Sequence, residues 1–581
     1  MGVGISGFKE IETDVLVVGG GLAALRAALT ARSAGARVLI AVKRRLGKSG
    51  SSANTSGGYA VAWSELDALD DPELHYEDTI VGGGWVNDRA LVRALVDEAP
   101  ARLRELWVMG AEFRQREGRY HLSPSGDHRR PRVLVPLHMI GTDMTLPLAE
   151  AVRAAGVDVL ENCVIADLLR AEDRIVGAVG LARDRIEGYV IRARATVLGA
   201  GGAGRMFPVT SNPIDVRGGG YAVALRAGAR LRDMEFIQFY PWRLIRPFKS
   251  TRVPIQPSTF VAGGRLFNSR GDRFMEKYDP VKKEAATRDV SARGIFDQIR
   301  QGLAVDGGVV LDVSQIPDEQ FRIDNTKVVD VLDPKGIDYR SIPLIVAPEA
   351  HFFMGGVLID EHGRSDLAGL YAAGENAGGI HGGNRLNSNA VPDTQVFGYR
   401  AGLDAAGYAT HAHHGAPDPG PIERWAGRLA AARSASSQVA PAFDELIEYQ
   451  QTAMSLGLGI VRTGAGLRHA LGEIEVIRQK LGLLNVANLG ELLISLEIED
   501  LCVAGAACAE SALVREESRA AHYREDFPNT DSSWVRTITI DAKGVATRVI
   551  ARGAEEEHWT TTPGAVANPK ASQPGAKEFV E

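Results

Sequence analysis

The stretch from residue 14 to residue 24 joins a short apolar run to a glycine turn, and few folds accommodate that combination. Residues 14–18 read DVLVV, and GGGLAA follows at once, leading into an alanine-rich segment with helical period. The pattern predicts a strand, a tight turn and a helix, with a diphosphate on the N–H groups at the helix N-terminus. In that motif Gly19 and Gly21 allow the close approach, and Ala24 fills the third small position.

A second apolar run, residues 37–42, predicts the next strand of an α/β domain. Such domains often end this strand with an acidic residue for the ribose hydroxyls, but Lys43 follows it here. Residues 48–58 (KSGSSANTSGG) then supply many small donors, and residues 195–204 contain a second glycine turn. A flexible linker would also explain the first loop, but its position after the second strand favours a loop wrapped on a cofactor. The cofactor-binding candidates from these segments are Lys43, Ser51, Ser52, Gly57, Gly58 and Gly201.

The stretch from residue 351 to residue 400 combines many glycines with charged residues. It places His351 beside an MGG turn, an apolar run ending at Glu375, and the segment HGGNRLNSN containing Arg385. Glycines let the backbone approach a ligand, and the charged residues between them are spaced to touch different parts of it. A strand with turn-rich loops would explain the glycines but not the three charged or titratable side chains.

The order HxxMGG, GLYAAGE and HGxNRLxSN resembles the flavoprotein subunits of the fumarate reductase and succinate dehydrogenase family, which also includes L-aspartate oxidase. The resemblance runs from about Thr13 to Pro528 and includes VREESRAAHYREDFP at residues 514–528. It implies FAD and hydride transfer between FAD and a carbon–carbon bond next to a carboxylate.

The resemblance also implies roles for individual residues. Arg288 matches the arginine that delivers or takes the proton, Arg385 would clamp the substrate carboxylate, and His351 would hold the same end. Glu375 would accept hydrogen bonds from ribityl or ribose hydroxyls. The backbone at Ala390 and Val391 would meet the isoalloxazine edge.

Several positions depart from the family pattern. Tyr240 and Trp242 replace the histidine and threonine of FxQFHPTG, and Phe260 lies where TEGxRGEGG is usual. We expect Tyr240, Trp242 and Phe260 to form a substrate pocket for a less polar, even aromatic, second arm; alternatively, they merely fill the cap. The RGGG at residues 217–220 lacks the aspartate of the family's TGDG. Ser51 stands where many relatives attach flavin through a histidine, so we expect non-covalent FAD.

The fold class that follows is α/β: a Rossmann-like FAD-binding domain interrupted by an α+β cap domain and followed by a helical domain. The predicted boundaries are residues 10–238 and 346–412 for the FAD-binding domain and 239–345 for the cap. Helical periodicity predicts a helical domain over residues 413–535, and residues 536–581 are assigned to a C-terminal tail.

Composition limits the classes of molecule that the chain is expected to bind. The 581 residues carry a net charge of −7 and a pI near 6.1, which does not indicate a nucleic-acid surface. Cys163, Cys502 and Cys508 form no CxxC, so we expect no metal site and no iron–sulfur cluster in this chain. Electrons must therefore come from or go to another molecule: an iron–sulfur protein subunit is the usual partner in the family that the chain resembles, and free flavin, a thiol carrier or oxygen are the alternatives. No apolar run approaches the length of a membrane span and no signal peptide opens the chain, so we expect a cytoplasmic protein, with membrane contact only through a partner.

Two alternatives remain beside the main hypothesis. One is an L-aspartate-oxidase-like enzyme or true fumarate reductase in which the Tyr240 hydroxyl binds the distal carboxylate. The other is a flavin electron-transfer subunit without its own substrate, although such a protein has no reason to keep Arg288 and Arg385 together.

Overall fold

This computed structural model of the chain describes residues 8–247 and 253–550. In chain order the strands are β1 (Lys9–Val18), β2 (Val38–Val42), β3 (Tyr59–Ala60), β4 (Gln115–Arg116), β5 (Arg119–Tyr120), β6 (Leu122–Ser123), β7 (Val133–Leu134), β8 (Asp158–Glu161), β9 (Cys163–Ala171), β10 (Arg174–Ala182), β11 (Gly188–Leu198), β12 (Leu231–Arg232), β13 (Ile237–Arg246), β14 (Val253–Pro254), β15 (Arg265–Phe267), β16 (Val309–Asp312), β17 (Leu344–Phe353), β18 (Gly356–Leu358), β19 (Leu370–Ala372), β20 (Ala377–Gly378), β21 (Arg536–Asp541) and β22 (Gly544–Val549).

The helices, in the same order, are α1 (Leu22–Ser33), α2 (Ser51–Asn54), α3 (Pro72–Gly82), α4 (Arg89–Val108), α5 (Thr142–Ala154), α6 (Gly219–Arg226), α7 (Ser258–Val261), α8 (Met275–Tyr278), α9 (Arg288–Arg300), α10 (Asp318–Asp324), α11 (Thr326–Leu332), α12 (Ala390–His411), α13 (Pro419–Ala431), α14 (Pro441–Leu458), α15 (Gly464–Leu483) and α16 (Leu489–Val514).

A seven-stranded sheet with the order β8-β2-β1-β11-β10-β9 forms the nucleotide-binding part, with β19 also paired to β11. Strands β8, β2, β1, β11 and β19 run parallel, whereas β9 and β10 are antiparallel additions. Val15, Leu16 and Val17 are fully buried, and helices α1 and α12 pack against this sheet. A parallel strand covered on both faces reads as a continuous apolar run, which is the pattern seen in the sequence.

The cap is built on a second sheet, with the order β14-β13-β17-β16-β15 and antiparallel pairs. It has an apolar cluster of its own, which includes Trp242, Phe260 and Phe321. Strands β13 and β17 run across the boundaries expected at residues 238 and 346, so the two parts of the molecule share this strand pair. Side chains on β13 and β17 therefore lie where the cap meets the FAD-binding part.

Helices α13 to α16 follow, and residues of α14, α15 and α16 share one apolar core with the large sheet. Helix α16 also packs against α6 and so comes close to the nucleotide-binding part. Residues 536–549, assigned from the sequence to a tail, form the hairpin β21–β22, which extends a third sheet through β12. Residues 551–581 of that segment lie outside the described residues. Within the described ranges, no helix is both long and apolar enough to cross a membrane.

Candidate active site

A cavity of about 340 Å³ lies between the carboxyl ends of the parallel strands and the cap. Most of the residues predicted to bind the cofactor line it: Gly19, Gly21, Lys43, Ser51, Ser52, Gly57, Gly58, Gly201, Glu375, Ala390 and Val391. Ala24 does not line it. Its side chain lies inside the fold, 3.0 Å from the point where a Cβ on Gly199 would stand, so it keeps α1 close to β11.

The turn after β1 is shaped for an anionic ligand. Gly19 has a φ of +122°, and a Cβ there would stand 2.2 Å from the Gly199 carbonyl oxygen, so only glycine fits. The Leu22 N–H at the start of α1 donates to Ser52 Oγ at 3.2 Å, and the buried Ser51 Oγ has no hydrogen-bond partner in the described part of the chain. The free Ser51 hydroxyl and the turn at the start of α1 face one cavity, and a helix N-terminus with such a donor fits the diphosphate of a dinucleotide.

Lys43, at the end of β2, is held by two oxygen acceptors. Its Nζ donates to the Asp215 carbonyl at 3.1 Å and pairs with Glu497 Oε1 at 2.7 Å. Arg217 binds the other oxygen of Glu497 at 3.0 Å. The cations at this end of the cavity are thus paired with a carboxylate from α16.

Glu375 faces the cavity from the turn after β19. Its Oε1 accepts from the Phe353 N–H at 3.1 Å, and burial raises the pKa of the carboxyl to about 7. A carboxyl in this position is suited to accept hydrogen bonds from ligand hydroxyls.

Two arginines meet at the cap end of the cavity. Arg288 of α9 and Arg385 both donate to Gln238 Oε1, at 3.0 and 3.2 Å, and Arg288 Nη2 also donates to Asn387 Oδ1 at 2.6 Å. Burial lowers the pKa of Arg288; burial and then the charge of Arg288 lower the pKa of Arg385 to about 9. Among the described residues, no carboxylate lies within 4.0 Å of either guanidinium.

His351 adjoins this pair. A guanidinium can only donate, so His351 Nε2 accepts from Arg385 Nη2 at 3.0 Å and Nδ1 donates to Ser211 Oγ at 2.8 Å. Burial and the charges of Arg385 and Arg288 hold the pKa of the imidazole well below its usual range. His351 is therefore neutral here. The Nε2 lone pair orients Arg385, and both ring nitrogens are bonded within the protein.

The three aromatic residues expected in the pocket occupy two layers. Tyr240 lines the cavity, its ring 5.0 Å from the Arg288 guanidinium carbon and 5.3 Å from the His351 ring, and its hydroxyl donates to the Ile255 carbonyl. Trp242 and Phe260 stack on each other at 4.3 Å behind Tyr240 and do not line the cavity. These two residues support Tyr240 rather than face a ligand.

The residues that hold Arg288 were not predicted from the sequence. Gln238 lies in the motif around Tyr240 but carries no charge, and Asn387 lies two residues after Arg385. Asp127 lies behind Asn387, and its Oδ2 accepts from the Asn387 N–H at 2.7 Å. Although burial opposes ionisation, His128 and Arg288 hold the pKa of Asp127 below its usual value.

The basic segment at residues 126–132 packs against the loop that carries Arg385 and Asn387. His128 Nε2 lies 2.8 Å from the Asn387 carbonyl oxygen, and buried Arg132 pairs with Asp70 at 2.8 Å. The acidic partners are distant in sequence, so no local signal marks the segment as buried.

Two more charged residues line the cavity wall and were not singled out from the sequence. Glu349 stands opposite Tyr240 in the β13–β17 pair and lies 3.7 Å from Arg243 Nε. Lys327 of α11 donates from Nζ to Ser56 Oγ at 3.0 Å.

Comparisons with known proteins agree with this architecture. A family model described as an FAD binding domain matches residues 14–391, and one described as the fumarate reductase flavoprotein C-terminus matches residues 448–564. The chain is 42% identical to a subunit of the fumarate reductase (CoM/CoB) of Methanothermobacter marburgensis, over 92% of this chain and 97% of that protein. It is 35% identical to L-aspartate oxidase 1 of Ralstonia nicotianae, over 89% of this chain and 96% of that protein.

Solved structures show the same fold. Sdh1 of Mycobacterium smegmatis, in complex with UQ1, has a TM-score of 0.81 at 29% identity, covering 94% of each chain. FrdA of E. coli quinol fumarate reductase has a TM-score of 0.85 at 24% identity, covering 94% of this chain and 98% of that chain. The chain belongs to the fumarate reductase and succinate dehydrogenase flavoprotein family, and it is an FAD-dependent oxidoreductase that acts on CH–CH groups.

Proposed function

We propose that this enzyme reduces or forms a carbon–carbon double bond beside a carboxylate that Arg385 and Arg288 bind, in a substrate whose second arm carries no carboxylate. One observation supports the first half above all: two buried guanidiniums share the oxygen of Gln238 and have no carboxylate partner in the described part of the chain. Buried cations require a counter-charge, and a substrate carboxylate provides one with matching planar geometry.

Arg385 is suited to polarise the substrate. FAD, when bound, supplies the hydride chemistry. Its ring would meet the N-terminus of α12 at Ala390 and Val391, where backbone N–H groups favour negative charge. Negative charge grows on the substrate carboxylate as the neighbouring bond changes order, and a fixed donor pair aimed at that charge contributes about 2 to 4 kcal/mol. His351 contributes by holding the Arg385 fork in place.

Arg288 is suited to move the proton. Burial lowers the pKa of its guanidinium, which makes a group that normally stays charged a better proton donor in a closed site. Its two Nη atoms are fixed by Gln238 and Asn387, and Asp127 binds the backbone of the same Asn387. The cap carries Arg288, so cap closure would bring the donor to the substrate carbon.

The second arm of the substrate would meet Tyr240 and Glu349. The Tyr240 hydroxyl already donates to a backbone carbonyl, which makes it a poor ligand for a distal carboxylate, and its ring contributes an apolar wall. Glu349 presents a buried carboxyl to the same cavity and lies 3.7 Å from Arg243, so this cation already has its counter-charge and does not require a second carboxylate. An apolar or aromatic arm, or one that donates a hydrogen bond, fits this wall better.

FAD would be bound without a covalent bond. Ser51 cannot form the histidyl linkage, and the histidine that lines the cavity, His351, uses both ring nitrogens at the substrate end. The chain's relatives include proteins named as subunits, which supports an iron–sulfur protein as electron partner. The free thiols of Cys163, Cys502 and Cys508 fit a reducing compartment, so we place the enzyme in the cytoplasm, with membrane contact only through a partner.

Fumarate itself is the second candidate, because Lys327 adds a cation to the cavity wall and several relatives are named fumarate reductase. An L-aspartate-oxidase-like reaction is the third, supported by the relatives of that name.

Stopped-flow measurement of flavin reoxidation separates these candidates. The dithionite-reduced protein is mixed with fumarate and with aliphatic and aromatic 2-enoates, and the oxidised protein is mixed with L-aspartate. We expect rapid reoxidation by a monocarboxylic enoate and slow reoxidation by fumarate, with Tyr240→His raising the fumarate rate. Faster reoxidation by fumarate than by every enoate would overturn the uncharged second arm, and flavin reduction by L-aspartate would identify the third candidate. If none of these compounds oxidises or reduces the flavin, an electron-transfer subunit without its own substrate would be favoured.

A further inference from the structure

The nucleotide end of the cavity contains acidic residues from a distant part of the chain. Dinucleotide-binding folds commonly hold the ribose hydroxyls with an acidic residue at the end of the second strand. Here Lys43 occupies that place, and its ammonium is neutralised by Glu497 at 2.7 Å. If an acidic residue binds the ribose hydroxyls in this protein, it must therefore come from another part of the chain.

Helix α16 brings two carboxylates to this end. Glu497 and Asp500 are three residues apart, which places them on one face of the helix, and both line the cavity. Glu497 uses one oxygen for Lys43 and the other for Arg217. Both of its oxygens are thus occupied within the protein.

Asp500 is arranged differently. Its Oδ1 accepts from Arg226 Nη1 at 2.8 Å, and its residue is only 4% exposed. Its Oδ2 lies 3.2 Å from the point where a Cβ on Gly219 would stand, so the bare glycine at the start of α6 leaves that oxygen open to the cavity. In the described part of the chain, Arg226 is the hydrogen-bond donor to this carboxylate.

We propose that Asp500 Oδ2 accepts a hydrogen bond from a hydroxyl of the adenosine ribose of FAD, and that Glu497 acts as a positioning residue by holding Lys43 and Arg217 out of the way. The acidic residue missing from β2 is supplied by the C-terminal helical segment. Burial raises the pKa of Asp500 to about 6, so it is mostly ionised near neutral pH and can act as a charged acceptor. Retention of the cofactor then depends on how α16 is seated.

The test removes the acceptor, Asp500, by substitution and the donor, a ribose hydroxyl of FAD, by the use of deoxy analogues. Apo-protein is titrated with FAD, with FAD analogues lacking the 2′- or 3′-hydroxyl of the adenosine ribose, and with FMN, and Kd is read from flavin fluorescence. A hydrogen bond to an ionised acceptor is about twice as strong as a neutral one, so loss of either partner is expected to raise Kd about tenfold. In wild-type protein one deoxy analogue should bind about tenfold more weakly than FAD. Asp500→Asn should raise the FAD Kd by a similar factor and should bind that analogue and FAD with equal affinity. The FMN Kd should stay unchanged.

Glu499→Gln is the matched control, because Glu499 lies on the same helix but pairs with Arg428 at 2.9 Å and does not line the cavity. It should bind FAD like wild type. Equal wild-type affinity for FAD and both deoxy analogues overturns the proposal without the use of any variant. An equal increase in the Kd values of FMN and FAD in Asp500→Asn also overturns it, because such a result indicates a general disturbance of the flavin site. No substrate is present in these titrations, so they fail or succeed independently of the proposed substrate.

Discussion

The two ends of the cavity treat buried cations in opposite ways. At the nucleotide end, Lys43 and Arg217 share Glu497, and Arg226 binds Asp500, so the charges are neutralised within the protein. At the cap end, Arg288 and Arg385 share a neutral amide oxygen and have no carboxylate within 4.0 Å in the described residues. Paired cations build the scaffold, whereas cations without a carboxylate in direct contact remain available to bind an anionic ligand.

The unpaired end is held by neutral groups. Gln238 receives both arginines through its oxygen and donates from its nitrogen to Asn384 Oδ1 at 2.7 Å. Two like charges side by side without water are unfavourable, and amide dipoles can hold them without cancelling the charge that a substrate needs. We therefore expect substitutions at the cap end to lower turnover strongly and substitutions at the nucleotide end to affect turnover little.

The largest effect is expected from Arg288→Lys. A lysine cannot bind Gln238 and Asn387 with one planar fork, and proton transfer by a positioned group is worth about 10²- to 10⁴-fold. We expect kcat to fall about 10³-fold while the FAD Kd stays unchanged, as measured by steady-state kinetics and flavin titration. Arg300→Lys, on the exposed end of the same helix, is the control and should keep kcat. A wild-type kcat in Arg288→Lys would show that the unpaired end does not carry the proton.

Arg385→Lys should have the second largest effect. The variant keeps a positive charge but loses the bidentate fork and the contact with His351, so kcat/KM should fall about 10²-fold. Single-turnover reoxidation at several substrate concentrations separates weaker binding from slower chemistry. Loss confined to binding would mean that Arg385 clamps the substrate without polarising it.

Asp127→Asn tests a buried carboxylate whose charge acts on Arg288. Asp127 raises the pKa of Arg288 through its charge, so the neutral variant should lower that pKa further and remove the protonated form at lower pH. The alkaline limb of the kcat profile for double-bond reduction should move down by about one unit, because an opposite charge nearby shifts a pKa by about one unit or more. Asp297→Asn, on the half-buried side of α9, should not move it. An unmoved limb in both variants would contradict this electrostatic link.

The smallest effect on turnover is expected at the paired end. Glu497→Gln leaves Lys43 and Arg217 without a charged partner, which should lower the free energy of unfolding by about 1 to 3 kcal/mol and raise the FAD Kd several-fold. At saturating FAD, kcat and KM should equal those of wild type. Thermal unfolding measures the free energy of unfolding, and flavin titration measures the FAD Kd. A changed kcat would show that the two ends of the cavity do not act independently.

Local patterns in the sequence were enough for the fold class and for much of the cavity. The glycine turn after β1, the serine loop, Glu375 and the start of α12 all line the cavity as expected, because each is fixed by a few neighbouring residues and a backbone that only glycine allows. The family and the FAD chemistry were also predicted from short motifs and are confirmed by the comparisons.

Only the tertiary structure decided the partners of the charged and aromatic side chains. His351 orients Arg385, Trp242 and Phe260 support Tyr240 from behind, and the wall of the nucleotide end comes from α16. Asp127 reaches Asn387 across 260 residues of chain. Such contacts depend on how distant elements pack, and sequence periodicity reports only which face of an element is buried, not what it is buried against.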